Sequence, residues 1–246
     1  MKRLINSNDH ITQISIGDID TARLHEIHDL LSPHHWTWIP DDAKKTRDEA
    51  RLESMGVYVI RAPSKLARDR DERYNNQDNS NRPWKDSELT LWDEVEDIGN
   101  ALAERMGMPA AVYTDRTDLQ YIYCNFKSMF GWNPSSWWHI DLRKTCVLNI
   151  VVTGSENDYV DFTNVDYEEC RTMDRGPRSP EFIEKCNANI TGSYGYTENG
   201  NPTPTLLNTP IPHRACSHNE DRILFRLAFS KSSYELVRSW LTNDCE

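Results

Sequence analysis

Hydrophobic residues recur at helical spacing in the first hundred residues of the chain and again near its C-terminal end. The most regular pattern covers residues 87–106, where apolar side chains three and four positions apart share one face: Leu89, Trp92, Val95, Ile98, Leu102 and Met106. A second helix is predicted to begin at Asp20 or Thr21, which can cap it, and to end at Pro33. A third is predicted over residues 232–241.

Runs rich in β-branched and aromatic residues predict strands, most of them in the second half of the chain. These runs are a short segment around Ile14 and residues 56–60, 121–127, 146–153, 205–208 and 222–229. The polar stretches 62–84 and 154–204 are predicted to be loops, with a short helix around 180–187 in the second. Because helices come first, then strands, then a helix, the order favours an α+β, mainly β fold: a barrel or sandwich flanked by helices.

The length of 246 residues fits one domain over 1–246. Within it we expect a helical or mixed support region over 1–110, a β core over 111–230 and a C-terminal helix over 231–246. Only 37% of the residues are hydrophobic, but eight tryptophans and ten tyrosines bury a large area per residue. The composition therefore allows a packed core.

Charge and cysteine usage narrow the possible partners. A formal net charge of −11 repels phosphate backbones and disfavours binding to nucleic acid. No apolar run is long enough to span a bilayer, and the N-terminus lacks the apolar segment of a secretion signal. The six cysteines form no CxxC pair and show no zinc-like spacing, which favours reduced thiols. We expect a cytoplasmic protein without a membrane partner; its oligomeric state is left open.

The most informative chemistry lies at His139 and Asp141, which directly precede the strand over 146–153. Side chains two apart on an extended segment point to the same side, so this imidazole and carboxylate converge. They supply two members of the 2-His-1-carboxylate group that holds Fe(II) with open positions. His213, 74 positions after His139 (213 − 139), is the candidate third member. The competing interpretation is that Asp141 pairs with Arg143 or Lys144 at the sheet surface.

Two arginines follow His213 in the last predicted strand. Arg222, Leu224 and Arg226 share one strand face by alternation, while Ile223 and its alternate neighbours share the other. An arginine that points into a cavity is a natural partner for a carboxylate, which it binds through two parallel hydrogen bonds.

The combination of HID, then LNIVVTG, then NTPIPHRA, then Arg222 in a terminal strand resembles the Fe(II)/2-oxoglutarate-dependent oxygenase superfamily. The resemblance covers roughly residues 120–230 and identifies no subfamily. It implies a double-stranded β-helix, or jelly roll, with iron inside the barrel mouth. By this resemblance His139, Asp141 and His213 are the iron ligands, and Arg222 binds the distal carboxylate of 2-oxoglutarate, with Arg226 as second choice.

The same resemblance suggests further residues around the cosubstrate. An Asn or Tyr on the strand before the HxD motif often helps to hold 2-oxoglutarate in this family, which makes Asn125, Tyr121 and Tyr123 candidates. Asn149 and Asn208 can either line the site or satisfy backbone groups in a loop.

The resemblance also implies the reaction: Fe(II), 2-oxoglutarate and O₂ oxidise a substrate and release succinate and CO₂. The presence of Asp141 leaves no ligand position vacant for a halide and favours hydroxylation over halogenation. We expect a small-molecule substrate such as an amino acid or derivative, covered by the loops at 62–84 and 154–204. Trp137 and Trp138 are expected to wall the iron. The alternatives are a hydroxylase of a peptidyl residue such as proline, a non-catalytic jelly-roll binder of a small molecule, and a metal-independent β-sandwich interaction module.

Overall fold

The computed structural model describes residues 2–35, 37–38, 56–60, 84–109, 117–125, 138–141, 145–154, 156–172, 179–217, 221–229 and 231–245. Within these ranges the backbone alone is described at residues 37–38, 56–58, 117–118, 123–125, 170–172 and 221. The predicted loop over 62–84 lies outside the described residues except for Trp84.

Four α-helices lie in the described residues, and three of them begin after an aspartate or serine whose side chain caps the helix. They are α1 (Thr21–Leu31), α2 (Asp86–Arg105), α3 (Pro180–Ala188) and α4 (Tyr234–Thr242), with a short 3-10 helix at Tyr167–Thr172. Asp20 caps α1 by accepting a hydrogen bond from the backbone N–H of Arg23, as predicted. Ser179 and Ser233 cap α3 and α4 in the same way. No helix in the described ranges is long and apolar enough to cross a membrane.

Thirteen strands are present in the described part of the chain. They are β1 (Arg3–Ser7), β2 (Ile11–Ser15), β3 (Thr37–Trp38), β4 (Gly56–Ile60), β5 (Thr117–Asn125), β6 (Cys146–Thr153), β7 (Tyr159–Thr163), β8 (Ile190–Gly195), β9 (Thr197–Glu198), β10 (Asn201–Pro202), β11 (Thr205–Leu207), β12 (His213–Cys216) and β13 (Asp221–Phe229). The main sheet has the order β1-β2-β11-β6-β13-β5-β4-β3, and a smaller sheet has the order β12-β7-β8; β9 and β10 form a separate pair.

Successive strands of the β core alternate between the two sheets. The chain passes from β5 in the main sheet to His139, which bridges to β12 of the small sheet, and then returns to β6. It continues through β7 and β8 in the small sheet, β11 in the main sheet, β12 in the small sheet and β13 in the main sheet. All pairings are antiparallel. This winding is that of a double-stranded β-helix, so the jelly roll implied by the sequence is confirmed.

The two faces of the main sheet carry different cores. The inner face meets the small sheet through an apolar cluster that includes Val147, Val151, Phe162, Leu207 and Leu224. The outer face packs against the helices through a larger cluster that includes Trp92 of α2, Leu24 of α1, Val237 of α4, Phe225 and Phe229. Alternation along β13 therefore sends Leu224 inward and Phe225 outward, as the sequence predicted.

The N-terminal region takes part in the main sheet. β1 and β2 extend it beyond β11, and β3 and β4 extend it beyond β5. The division into a support region over 1–110 and a β core over 111–230 stays a prediction.

The prediction of a loop over residues 154–204 is wrong. This stretch contains β7, the 3-10 helix, α3, β8, β9 and β10. β7 lies in the middle of the small sheet, between β12 and β8. The stretch is therefore part of the barrel wall, and its described residues do not form the loop that was expected to cover a ligand.

Candidate active site

A single antiparallel bridge joins the segment that carries the HxD motif to β12. The N–H of His139 donates to the carbonyl of His213, and the N–H of His213 donates to the carbonyl of His139, both at 2.9 Å. Such a doubly hydrogen-bonded pair places two residues directly opposite each other. The imidazole ring centres lie 4.5 Å apart, with 51° between the ring planes.

Asp141 joins the two histidines from the same extended segment. Its N–H donates to the carbonyl of Thr209 at 3.2 Å, which ties the segment to the loop that precedes β12. One ligand atom from each of His139, Asp141 and His213 lies within 4.8 Å of the other two. The structure thus brings together the three residues that the sequence predicts as metal ligands, and the group they form could hold a metal ion.

The surroundings of His213 fix its protonation and its tautomer. Burial, followed by the neighbouring His139, lowers the pKa of His213 to about 3, so the imidazole is neutral. Its Nδ1 lies 2.8 Å from the carbonyl oxygen of Ile211, so Nδ1 carries the proton and donates it there. Nε2 is then left with a lone pair for a metal ion. A hydrogen bond from the second ring nitrogen is the usual way to orient a metal-binding histidine.

An aromatic residue of the small sheet supports His213 from behind. Phe162 lies opposite His213 in the β12–β7 pairing, and its ring centre is 5.6 Å from the imidazole. Phe162 is fully buried and stacks on its other side against His10, at 5.0 Å and 6°. The N–H of Thr163 donates to the carbonyl of Pro212 at 3.0 Å, which holds the start of β12 on β7.

Arg226 lies beside the carboxylate of the metal group. Its Nη1 is 3.9 Å from Oδ2 of Asp141, and its Nε donates to Oδ1 of Asn149 at 2.8 Å. Asn149 is fully buried and stands directly opposite Arg226 in the β13–β6 pairing. Both residues were predicted around the cosubstrate; the structure places Arg226 next to the Asp141 carboxylate and Asn149 next to Arg226.

Arg222 occupies a different part of the inner face, four residues earlier on β13. Its side chain is only 1% exposed. Nη1 donates to the carbonyl of Cys216 at 3.4 Å, and the guanidinium carbon lies 5.2 Å from the centre of the Tyr196 ring. Arg222 is therefore a buried cation between the two sheets, on the same strand face as Leu224 and Arg226.

Trp138 does not wall the metal group, contrary to the sequence-based expectation. It packs with Val165, Phe182 and Cys186 in a separate cluster under α3, and its Nε1 donates to Asn187 at 3.2 Å. The physical reason is the same alternation that joins His139 and Asp141: the residue directly before His139 on an extended segment points to the opposite face. Trp137 lies outside the described residues.

An ion pair on the outer side of the small sheet braces Trp138. Nε and Nη2 of Arg214 each lie 2.9 Å from Oδ2 of Asp161, and Nη1 donates to Oδ1 of Asn187 at 2.9 Å. The guanidinium carbon of Arg214 is 4.7 Å from the centre of the Trp138 ring. Arg214 follows His213 directly, so this brace holds the backbone that presents the metal ligands.

The remaining cosubstrate candidates lie elsewhere or outside the described side chains. Tyr121 belongs to the outer core and donates its hydroxyl to the carbonyl of Leu24 in α1, so it is not near the metal ligands. Asn208 satisfies backbone groups of the N-terminal loop through Asp9 and His10. The side chains of Tyr123 and Asn125 are outside the described part of β5.

Sequence reasoning did not find several residues that shape the site. Phe162 and Thr209 support the metal ligands through contacts over a long sequence separation, and Asp161 braces the small sheet. For Phe162 a signal existed, because Val160 and Phe162 are the apolar positions of an alternating run, Tyr-Val-Asp-Phe-Thr. For the backbone contact of Thr209 the sequence carries no signal.

The fold and the residues together define a double-stranded β-helix protein with a 2-His-1-carboxylate group inside it. No protein-family model matches the chain, and no curated protein sequence matches it. The similar solved structures include proteins described as dependent on α-ketoglutarate or solved with 2-oxoglutarate, and an oxidoreductase described as a member of the 2OG-Fe(II) oxygenase family.

Three of these structures illustrate the range. The α-ketoglutarate-dependent epimerase SnoN from nogalamycin biosynthesis is 11% identical, with a TM-score of 0.47 over 91% of this chain and 79% of its own. HygX from Streptomyces hygroscopicus, solved with nickel and 2-oxoglutarate, is 10% identical, with a TM-score of 0.43 over 92% of this chain and 85% of its own. A Pseudomonas putida prolyl-4-hydroxylase is 10% identical, with a TM-score of 0.31 over 84% and 98%.

Proposed function

We propose that this protein is a non-haem Fe(II)/2-oxoglutarate-dependent oxygenase that hydroxylates a small molecule such as an amino acid or a derivative. The observation that carries the proposal is the convergence of His139, Asp141 and His213 within 4.8 Å at the edge of a jelly-roll barrel. An isolated HxD pair is a frequent pattern by chance. Its convergence with a neutral histidine 74 positions away (213 − 139) is far more specific.

The donor set fits iron. Two imidazoles and one carboxylate form the group that binds Fe(II) on one side and leaves positions open on the other. His213 is suited to this role because its neutral imidazole offers Nε2 while Nδ1–H is held by the carbonyl of Ile211. When bound, Fe(II), 2-oxoglutarate and O₂ would supply the oxidation, with succinate and CO₂ as co-products.

Arg222 is the proposed partner for the distal carboxylate of 2-oxoglutarate. It is a buried guanidinium on the inner face of β13, the face that also carries Leu224 of the inner core. A planar guanidinium binds a carboxylate through two parallel charge-assisted hydrogen bonds, and the interaction is strong where water is excluded. Tyr196 supports the guanidinium from one side, at 5.2 Å from its ring centre.

The choice of a small-molecule substrate is supported by the charge of the chain. A net charge of −11 opposes the phosphate backbone of DNA or RNA, which leaves small molecules and peptides as the candidate classes. Of these two classes we propose the small molecule. Turnover assays that include peptides test the substrate class together with the reaction.

The test is an anaerobic titration with Fe(II) and 2-oxoglutarate, followed by aerobic turnover. We expect a weak visible charge-transfer band when both are present, and release of succinate that rises with the correct member of a panel of free amino acids, their derivatives and short peptides. His213→Ala should abolish the band. Arg222→Gln should retain Fe(II) binding and require a higher 2-oxoglutarate concentration for the band.

Two results would contradict the proposal. Absence of the band together with absence of succinate release for the whole panel would exclude the oxygenase. Succinate release that is stimulated only by peptides would retain the oxygenase and reject the small-molecule substrate.

A further inference from the structure

A row of polar residues crosses the inner face of the main sheet, next to the apolar side chains of the inner core. Its members stand directly opposite one another on five neighbouring strands, as the pairings Gln13–Thr205, Thr205–Asn149, Asn149–Arg226 and Arg226–Gln120 show. Four of the five are buried, and the side chain of Arg226 is 15% exposed. Polar groups in such a position destabilise the fold unless they are hydrogen-bonded, so the row calls for an explanation.

Arg226 is the one member of the row that lies within ion-pair distance of a metal-ligand candidate. Nη1 of Arg226 is 3.9 Å from Oδ2 of Asp141. The rest of the guanidinium is fixed from the opposite side, because its Nε donates to Oδ1 of Asn149 at 2.8 Å. Arg226 therefore has one end anchored in the sheet and the other directed at the carboxylate.

The orientation of Asn149 follows from this hydrogen bond. An arginine has only donors, so the amide must present its oxygen to Arg226 and its Nδ2 elsewhere. Nδ2 is buried and has no hydrogen-bond partner among the described residues. An unsatisfied buried amide destabilises the fold. The contact that Asn149 makes through its side chain is therefore the one between its oxygen and Arg226.

We propose that Arg226, braced by Asn149, is a positioning residue that holds Oδ2 of Asp141 and leaves the other carboxylate oxygen for the metal. This inference rests on the proposed function only in that a metal binds at His139, Asp141 and His213. A carboxylate that binds through one oxygen occupies one coordination position, whereas one that binds through both occupies two. Arg226 thereby keeps open the positions that a cosubstrate and O₂ require.

Two effects of Arg226 on metal binding oppose each other. Its charge repels a cation, while its contact orients the ligand. Variants that keep the charge separate them: Asn149→Ala removes the brace and leaves the arginine, and Arg226→Lys retains the cation but loses the donor that reaches Asn149. Loss of a residue that orients a metal ligand typically weakens metal binding about 10–100-fold.

The experiment measures Co(II) affinity and the Co(II) visible spectrum of the full chain in the absence of 2-oxoglutarate. We expect both variants to bind Co(II) about 10–100-fold more weakly than the wild type, with a changed spectrum because the coordination number changes. The matched control is Gln120→Leu, which alters the same row on the other side of Arg226. It is expected to leave affinity and spectrum unchanged.

The outcomes separate this inference from the proposed function. Wild-type protein that binds neither Co(II) nor Fe(II) overturns both. Wild-type protein that binds metal, with Arg226→Lys and Asn149→Ala each within twofold of it and with the same spectrum, overturns the positioning role alone. An equal loss of Co(II) affinity in Gln120→Leu also overturns it, because the loss would then come from any disturbance of the polar row. If Asn149→Ala fails to fold, Arg226→Lys decides by itself.

Discussion

The ion pair between Asp161 and Arg214 offers the sharpest test of how the barrel wall is held together. The side chain of Asp161 is 3% exposed and that of Arg214 is 17% exposed. Besides the two contacts from Arg214, the carboxylate accepts hydrogen bonds from the hydroxyl of Ser193 and from the thiol of Cys216, the latter at 3.4 Å. Asp161→Asn keeps the shape of the side chain and removes its charge, so the guanidinium of Arg214 loses its counter-charge.

The magnitude follows from the burial of the two partners. Removal of one member of a fully buried ion pair costs about 3–5 kcal/mol, because the other charge is left without compensation. Arg214 is partly exposed and retains its contacts with Asn187 and the Trp138 ring, which lowers the cost. We therefore expect Asp161→Asn to lower the free energy of unfolding by about 2–3 kcal/mol.

The assay is urea unfolding of the metal-free protein, followed by tryptophan fluorescence and by circular dichroism, with agreement of the two as a check of two-state behaviour. The matched control is Glu198→Gln, which breaks the exposed ion pair with Arg3, where the side chains are 33% and 52% exposed. Exposed pairs contribute about 0–1 kcal/mol. If Asp161→Asn destabilises the protein no more than Glu198→Gln does, the reasoning from burial is refuted.

Two further predictions concern groups whose protonation is set by burial. Burial lowers the pKa of His28 below its ordinary value of 6.5, so the unfolded chain binds the proton more readily than the folded one. Above about pH 6.5 His28 is neutral in both states and its burial carries no protonation cost. As the pH falls below about 6.5 the unfolded state takes up the proton first, and the free energy of unfolding decreases. Urea midpoints between pH 5 and pH 8 should fall less steeply toward acid in His28→Gln, and an unchanged slope would contradict the assignment. Burial raises the pKa of Cys146 and Cys216 to about 12. Neither should be alkylated by iodoacetamide at pH 8 in the native protein, as peptide mass spectrometry can check, whereas the partly exposed Cys245 serves as a labelled reference.

The local pattern of hydrophobic residues correctly predicted helices and strands that bury one face or both faces. β6 has the predicted bounds, because the run Cys-Val-Leu-Asn-Ile-Val-Val-Thr is buried on both faces and is apolar on nearly every position. α2 begins one residue before the predicted start and packs on the main sheet through its periodic face. The close approach of His139 and Asp141 could also be predicted, because it depends only on the two-residue period of an extended chain.

The small sheet could not be predicted in the same way, because polar side chains of its strands are buried against partners that are distant in the sequence. In β7, Val160 and Phe162 alternate with polar residues, but the run has only two apolar positions of this kind, and Asp161 between them is buried because Arg214 lies across the β12–β7 pairing. In β8, three of the six residues are half-buried and three are exposed; the strand lies at a sheet edge, and its sequence is mostly polar with two glycines. A local pattern therefore reads these segments as loops.

The position of Trp138 follows from the alternation of side chains along an extended segment, a rule that the prediction applied to His139 and Asp141 but not to Trp138. The alternation that places His139 and Asp141 together also requires the residue before His139 to lie on the opposite face. Proximity in sequence to a metal ligand suggested proximity in space, and on a strand the nearest neighbour is the residue that points away. Trp138 accordingly lies under α3 with Phe182.

The two arginines of β13 lie at different positions along the strand and contact different groups. Arg222 and Arg226 are four residues apart, so their Cα atoms are separated by about 13 Å along an extended strand. Their guanidinium groups contact different partners: the carbonyl of Cys216 and the Tyr196 ring for Arg222, and Asn149 and Asp141 for Arg226. A shared role on a single carboxylate would require both groups to converge, and these contacts hold them apart. We therefore expect the effects of substituting Arg222 and Arg226 to be additive in the double variant.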